Sequence, residues 1–186
     1  MPIQRHKLKA GLAATTGALI ALALAAPTGA SAACTTGGVT PAAIDACTPT
    51  AKAKLLADGE LIPPASAPPR VKAVIAAANK IRTKPYIWGG GHARWWDRGY
   101  DCSGSVSYAL HGGAFLSSPL PSGPMENWGY SGTGRWITVY ANAGHAYAVI
   151  AGFRWDTAGD SSGTGPRWHP EMLSNAGFVA RHPGGY

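Results

Sequence analysis

The sequence predicts an α+β fold in which helices come first and a small antiparallel sheet follows. In the segment RVKAVIAAANKIR, residues 70–82, apolar residues recur at helical spacing, and the same spacing returns after residue 102. From residue 135 onward, four short segments rich in β-branched and aromatic residues are bounded by glycines, as in antiparallel strands: RWITVYA, HAYAVIAG, FRWDT and FVARHP. The order of helix, helix and strands therefore indicates the α+β class.

Residues 1–32 have the features of a secretory signal peptide: basic side chains, a short apolar run, and a small-residue cleavage sequence at residues 30–32. The apolar run is shorter than the roughly 20 residues that span a bilayer, so we expect a secreted protein without stable membrane association. Removal of Arg5, Lys7 and Lys9 would lower the formal net charge from +7 to +4. The remaining basic residues are scattered, which argues against nucleic-acid binding and suits an anionic cell wall.

The N-terminal part of the exported chain contains two of the three cysteines, Cys34 and Cys47. Export permits disulfides, and we predict that these two cysteines pair and brace a segment over residues 33–70. The alternative is lipid attachment at Cys34, although Ser31 stands where lipoprotein signals usually carry a large aliphatic residue. A single domain is expected over residues 71–186.

Residues 61–69, LIPPASAPP, contain four prolines and no charge, which predicts a stiff, extended connector. Upstream of it, residues 41–60 are expected to form one or two short helices held by the disulfide. Downstream, the predicted helix in residues 70–82 is amphipathic, so a sheet or another helix must cover its apolar face.

Cys102 has no obvious disulfide partner, and it begins the second predicted helix, which ends at Gly112. Unpaired N–H groups and the helix dipole stabilise a thiolate at such a position, so we predict that Cys102 is a nucleophile. Ser103 and Gly104 leave room for a substrate carbonyl, and the N–H of Cys102 is a candidate oxyanion donor. The alternative is a buried, inert thiol, which the glycine-rich approach and polar neighbours oppose.

A cysteine nucleophile needs a base that also protonates the leaving amine, and histidine suits both tasks. His145 is the best candidate because it begins a predicted strand directly after Gly144, at a sheet edge. The other histidines lie in a glycine-rich loop, at the far end of the Cys102 helix, or near prolines: His92, His111, His169 and His182. No His or Cys pair has the spacing of a zinc motif, so no metal and no cofactor are expected.

A third residue should orient the base through its other ring nitrogen. If the hairpin turns at residues 151–152, the returning strand brings Asp156 or Thr157 level with His145. Asp156 is the better acceptor of the two. His169 is the rival, since a later strand can also reach the site.

Three segments in this order, KPYIWGGG, GYDCSGSVSYAL and AGHAYAVIAG, resemble the NlpC family of secreted cell-wall cysteine peptidases. The similarity covers roughly residues 71–160 and identifies residues 71–186 as an NlpC-like domain. The resemblance implies a papain-like fold with the nucleophile helix packed on a small antiparallel sheet. It also implies hydrolysis of amide bonds in the peptide stems of peptidoglycan.

The resemblance assigns the nucleophile to Cys102 and the base to His145. It places Tyr86 where the family has a tyrosine that helps to position the oxyanion, and Asp101 where related members contact a free amine of the substrate. The third polar position is usually His, Asn or Gln in the family, whereas here it meets Asp156 and the threonine after it.

Three tryptophans lie close to these motifs. Trp95 and Trp96, in a loop with Arg and Gly, are predicted to line the rim of a groove for sugar or stem peptide, whereas Trp88 is predicted to belong to the core.

Three functions are open at this stage, and each has peptidoglycan as the expected partner of a monomeric, wall-associated protein. The first is a peptidoglycan endopeptidase that uses Cys102, His145 and Asp156. The second is an amidase that cuts between sugar and stem peptide, or another acyl transfer by the same nucleophile. The third is a wall-binding or effector protein without turnover.

Overall fold

The structure is a computed structural model that describes residues 52–159 and 165–186. The helices of these residues are α1 (Pro69–Ile81), α2 (Cys102–Gly112) and α3 (Ser122–Met125). Their strands are β1 (Lys54–Leu55), β2 (Leu61–Ile62), β3 (Tyr130–Ser131), β4 (Ile137–Ala141), β5 (Ala146–Ile150), β6 (Phe153–Asp156), β7 (Arg167–His169) and β8 (Val179–His182). Within the described ranges, no helix combines the length and apolar character needed to cross a membrane. The predicted signal peptide and the Cys34–Cys47 disulfide lie outside the described residues.

The main sheet has six strands in the order β3-β8-β4-β5-β6-β7, and every neighbouring pair is antiparallel. The four strands that the sequence predicts after residue 135 are confirmed as β4, β5, β6 and β8. Helix α2 packs against β5 and β6, and the indole Nε1 of Trp155 donates a hydrogen bond to the carbonyl of Ser105 at 3.2 Å. The predicted α+β class, with the Cys102 helix on an antiparallel sheet, is therefore confirmed.

Helix α1 packs against α2 through the apolar face that its sequence predicts. Val71, Val74, Ile75, Ala78 and Ile81 are fully buried. The helix begins at Pro69, within the proline-rich segment, because a proline in the first turn has no N–H that an intrahelical bond would use.

The predicted short helices upstream of residue 61 are wrong for the described residues 52–60. Strands β1 and β2 form a hairpin there instead, and Leu61 is fully buried against the core. The side chain of Asn79 on α1 bonds both the N–H and the carbonyl of Leu61, at 3.1 and 2.9 Å. The start of the proline-rich segment is therefore anchored on α1 and is not a free connector.

The glycine-rich loop before α2 lies directly on the first turn of that helix. The N–H of Asp101 donates to the carbonyl of Gly90 at 3.2 Å, and a Cβ on Gly104 would overlap the same carbonyl oxygen. Gly91 has φ of 85°, a conformation that L side chains rarely adopt. These glycines allow the loop to form one wall of the candidate site.

Candidate active site

Cys102 is the first residue of α2, and Asp101 is its N-cap. The Oδ1 atom of Asp101 accepts a hydrogen bond from the N–H of Gly104 at 2.7 Å, so the cap satisfies one of the free donors at the helix start. The remaining N–H groups of the first helical turn carry a partial positive charge at this end of α2, which favours a thiolate on Cys102. The prediction that a helix begins at Cys102 is confirmed.

His145 lies between β4 and β5, immediately before β5 begins. Its backbone N–H donates to the side-chain oxygen of Asn142 at 2.9 Å, which fixes the turn that carries the imidazole. The thiol of Cys102 is hydrogen-bonded to the His145 side chain and to the backbone N–H of Ala146. The start of α2 and the start of β5 thus bring the predicted nucleophile and the predicted base into contact.

The hairpin between β5 and β6 turns at Ala151 and Gly152, which have φ of 51° and 86°. This is the turn that the sequence predicts. The strand register pairs Ala148 with Trp155, which brings Asp156 back beside the start of β5. As a result, Oδ1 of Asp156 lies 2.9 Å from Nε2 of His145.

The carboxylate of Asp156 is 1% exposed and is held by several donors. Its Oδ1 accepts from the N–H groups of Thr157 and Ala158 at 2.7 and 3.1 Å, and its Oδ2 forms a short ion pair with Arg154. Arg154 is itself buried, and its Nε donates to the carbonyl of Glu171 at 3.0 Å. These contacts satisfy the buried carboxylate and keep its Oδ1 directed at His145.

Cys102 and His145 shift each other's pKa. The pKa of His145 is raised to about 9, mainly by its hydrogen bond to Asp156 and next by its hydrogen bond to Cys102, although burial opposes the shift. Burial raises the pKa of Cys102, but the hydrogen bonds from His145 and from the N–H of Ala146 outweigh it, so this pKa lies below its ordinary value. The arrangement therefore favours a thiolate–imidazolium pair near neutral pH. Since Nε2 is bound to Asp156, Nδ1 is the nitrogen left for the thiol.

These shifts predict the pH dependence of Cys102 alkylation. We expect iodoacetamide to modify Cys102 at lower pH than an ordinary thiol, because its lowered pKa keeps thiolate present where a thiol with a pKa of about 8.5 is protonated. In His145→Ala the reaction should require a higher pH. Peptide mass analysis assigns the alkylated cysteine. A Cys102 that titrates at about 8.5 or above in the wild type would contradict the thiolate–imidazolium pair.

Cys102 borders an open cavity of about 310 Å³. The lining includes Trp88, His92, Asp101, Ser103, Ser122 and Gly144. Cys102 therefore borders a solvent-open cleft that is lined by the indole of Trp88 and several polar groups.

The prediction that Trp88 belongs to the core is wrong. Trp88 is 85% exposed and borders the cavity, so it does not belong to the core. Trp95 stacks on His111 with ring centroids 3.8 Å apart, and Trp96 packs beside Tyr108, so both lie along α2 and do not line the cavity. The hydroxyl of Tyr100 donates to the carbonyl of Trp95 at 2.7 Å, which holds the loop in that path.

Tyr86 is partly exposed and lies close enough to Cys102 for a thiolate there to shift its pKa. Burial raises the pKa of Tyr86, and the negative charges of Cys102 and Asp101 raise it further. Its hydroxyl therefore stays protonated and is able to donate a hydrogen bond. Ser103 donates its hydroxyl to Oδ1 of Asp101 at 3.2 Å.

His92 is a cavity residue that the sequence reasoning left outside the site. Its Nε2 lies 3.0 Å from Oδ1 of Asp101 and 3.2 Å from the hydroxyl of Ser103. The signal that points to it is the run of three glycines before it, which permits the close approach to α2.

The other residues considered for the triad lie elsewhere. His169 is in β7 opposite Arg154, and the ring N–H of His145 donates its hydrogen bond to Asp156. Thr157 bonds the Asp156 carboxylate through its backbone N–H. In the described part of the chain, no group of three or more His, Cys, Asp or Glu side chains is arranged to hold a metal ion.

No protein-family model matches the chain, and no curated protein is similar to it in sequence. Solved structures from Mycobacterium tuberculosis are similar in fold. They include a hypothetical invasion protein (22% identity, TM-score 0.45, covering 60% of this chain and 61% of that one). They also include the peptidoglycan hydrolase RipB (26%, 0.45, 60% and 64%) and RipD (23%, 0.45, 62% and 98%).

RipD is described as a non-catalytic NlpC/p60 domain protein adapted to peptidoglycan binding, so the structural neighbours include the family that the sequence motifs resemble. The chain spans about three fifths of the length of the invasion protein and of RipB. Because the TM-scores are below 0.5, the proposal for function depends on the geometry of the site and the motifs that form it.

Proposed function

We propose that the protein is a secreted cysteine hydrolase that cleaves amide bonds in the stem peptides of peptidoglycan. One observation carries the proposal: Cys102, His145 and Asp156 form a continuous hydrogen-bonded chain that ends at an open cavity. This order of thiol, imidazole and carboxylate is the arrangement that activates a nucleophile for acyl transfer.

In the proposed reaction, the Cys102 thiolate attacks the carbonyl carbon of the scissile amide. The N–H of Cys102 and the hydroxyl of Tyr86 are the candidate donors to the oxyanion that forms. The His145 imidazolium then gives its proton to the leaving amine nitrogen, and a thioester to Cys102 remains. Neutral His145 next takes a proton from water, whose oxygen attacks the thioester and releases the acid and the free enzyme.

The pKa of His145 predicts the alkaline limit of this reaction. Its raised value of about 9 means that the imidazolium persists below that pH and is lost above it. Hydrolysis should therefore decline as pH rises through about 9, because the proton for the leaving amine is gone. A rate that still rises above pH 9 would contradict His145 as the proton donor.

The substrate class is supported by the three cell-wall peptidase motifs, which supply this site with its nucleophile, its base and the cavity wall at Trp88. We also propose that the protein is secreted.

An amidase acting between sugar and stem peptide would use the same groups, so only the released fragments distinguish the two reactions. A wall-binding protein without turnover, as RipD is described, is the other alternative. The intact Cys–His–Asp chain favours turnover over that alternative.

Asp156 provides a direct test of the orienting role. We expect Asp156→Ala to lower kcat at least about 100-fold, and Asp156→Asn to lose less because asparagine keeps one acceptor for His145. Asp156→Ala also leaves Arg154 buried without its carboxylate, which costs about 3–5 kcal/mol of stability. Thermal unfolding therefore accompanies the kinetics, and Asp156→Asn is the more informative variant.

The matched control is His169→Ala, which should change kcat little because His169 lies in β7 opposite Arg154. Normal turnover by Asp156→Ala together with an inactive His169→Ala would move the orienting role to His169.

A further inference from the structure

Arg154 is a cation beside the candidate active site, and it is 1% exposed. Arg154, Trp155 and Asp156 follow one another in β6, so the alternation of a strand places Arg154 and Asp156 on one face and Trp155 on the other. The indole of Trp155 bonds the carbonyl of Ser105 in α2. Arg154 and Asp156 therefore lie side by side on the face of the sheet that is turned away from α2.

The guanidinium of Arg154 binds three separate parts of the structure. Its Nη1 donates to Oδ2 of Asp156 in a short ion pair, and to the carbonyl of Ala158 at 2.9 Å. Its Nε donates to the carbonyl of Glu171 at 3.0 Å. Gly159, with φ of 102°, lies against Nη2, where a Cβ would come within 2.5 Å of that nitrogen. These contacts hold the guanidinium in one place, so it fixes the position of Oδ2.

The ion pair at Oδ2 leaves Oδ1 of Asp156 as the oxygen that contacts the base. Oδ1 lies 2.9 Å from Nε2 of His145 and also accepts from the N–H groups of Thr157 and Ala158. Hydrogen bonds and a cation at both oxygens favour the ionised carboxylate. An ionised carboxylate only accepts hydrogen bonds, so His145 carries a proton on Nε2.

Arg154 also balances the charge of the site. The proposed thiolate, imidazolium and carboxylate together carry one net negative charge, and the guanidinium brings the sum to zero. Asp156 and Arg154 are each 1% exposed, and Cys102 is 9% exposed. An uncompensated charge among such buried groups is unfavourable.

Other titratable or charged groups lie around the Asp156–Arg154 pair. Burial raises the pKa of Tyr147 to about 12 and that of Tyr86 above its ordinary value, so both are neutral. The ionisable groups nearby are Asp101 beside Cys102, His92 bonded to Asp101, the exposed Glu171, and, in β7, His169 opposite Arg154 and Arg167 opposite Asp156. The Nε of Arg167 donates to the carbonyl of Gly165 at 3.2 Å. The ion pairs of Asp156 are formed with His145 and Arg154, so Arg154 is the arginine that balances its charge.

We propose that Arg154 is a positioning residue of the reaction: it holds Oδ2 of Asp156 and balances its charge, and thereby keeps Oδ1 an ionised acceptor for His145. This inference rests on the proposed function. Without Arg154, the buried carboxylate tends to take up a proton. His145 then loses its acceptor, and the Cys102 thiolate loses the imidazolium that stabilises it.

The test compares Arg154→Met, which removes the charge, with Arg154→Lys, which keeps it. We expect Arg154→Met to lower kcat on soluble peptidoglycan fragments at least about tenfold with little change in KM, and to require a higher pH for alkylation of Cys102 by iodoacetamide. Arg154→Lys should lie closer to the wild type in both measurements. A folded Arg154→Met with the wild-type kcat and alkylation profile would overturn the inference, as would an Arg154→Lys no better than Arg154→Met.

The alkylation profile does not depend on the substrate, so the inference and the proposed function can fail separately. A wild-type protein that cleaves no fragment overturns the proposed hydrolase. Unchanged alkylation and turnover in Arg154→Met overturn only the function given to Arg154.

Arg181→Met is the matched control. Arg181 lies in β8, and its Nε donates to the carbonyl of Trp128 at 2.9 Å, so it also holds a backbone carbonyl in place. We expect its replacement to leave kcat and the alkylation profile unchanged. A shift as large as that of Arg154→Met would show that loss of a structural arginine is sufficient, and would contradict a positioning function.

The double variant Arg154→Met, Asp156→Asn decides the question if Arg154→Met does not fold, because it removes both charges of the buried pair. Arg154 is proposed to act through the carboxylate, so the double variant should match Asp156→Asn in kcat and in the pH of alkylation. A further loss of kcat of at least about tenfold would show that Arg154 acts by another route and would overturn the inference.

Discussion

Replacing Cys102 with alanine is expected to abolish release of stem-peptide fragments from purified peptidoglycan, with a loss of rate of at least about 10⁴-fold. The reason is that the thiolate is the atom proposed to attack the amide, and no other cysteine lies in the described residues. The fold should persist, because Asp101 caps α2 and the removed sulfur lies at the edge of an open cavity.

Circular dichroism and thermal unfolding of Cys102→Ala serve as the control for that result. A variant that is folded and inactive supports the nucleophile. Undiminished release of fragments by a folded Cys102→Ala variant would contradict the proposal that the protein is a cysteine hydrolase.

Replacing His145 with alanine is expected to be nearly as severe. His145 stabilises the thiolate and supplies the proton to the leaving amine, so its loss removes both functions at once. Initial rates of fragment release at neutral pH, compared at equal folded protein, measure the effect.

His111→Ala is the matched control for His145→Ala. His111 lies at the end of α2 remote from Cys102, where its Nδ1 contacts the carbonyl of Leu116 and its ring stacks on Trp95. It should therefore retain most activity. His92 would be a poor control, because it contacts Asp101 and borders the cavity. An active His145→Ala beside an inactive His111→Ala would mean that the base has been assigned wrongly.

The features that the sequence predicts correctly depend on short-range patterns. Helix α2 begins at Cys102 because Asp101 is a good N-cap, and the β5–β6 hairpin turns at a glycine that favours positive φ. Given that turn, the two-residue alternation of strands brings Asp156 to the same end as His145. The position of the turn and the alternation of strand residues are therefore sufficient to predict that Asp156 lies close to His145.

The features that the sequence does not predict depend on contacts between distant residues. The β1–β2 hairpin needs the side chain of Asn79, 18 residues from Leu61, to bond its backbone. Trp88 is predicted to be a core residue because tryptophan is large and mostly apolar. Burial of an aromatic side chain also depends on whether other residues pack over it, which residue type does not reveal. The contact of His92 with Asp101 depends on a loop path that only the packing of glycines permits.

The proposed chemistry also explains why the polar groups of the site are buried to different degrees. Asp156 and Arg154 are almost fully buried, which holds the carboxylate in one position, whereas Cys102 borders the cavity and the His145 side chain is 27% exposed. A preorganised carboxylate behind a more accessible imidazole is what proton transfer to a leaving amine requires.

Mass analysis of the fragments released from purified peptidoglycan tests the central claim most directly. We predict that the wild-type protein releases fragments in which one amide of the stem peptide has become an amine and a carboxylic acid, with the mass of one water added, and that Cys102→Ala releases none. The identity of the new termini also names the bond. Wild-type protein whose Cys102 reacts with iodoacetamide but which releases no such fragments would contradict the account.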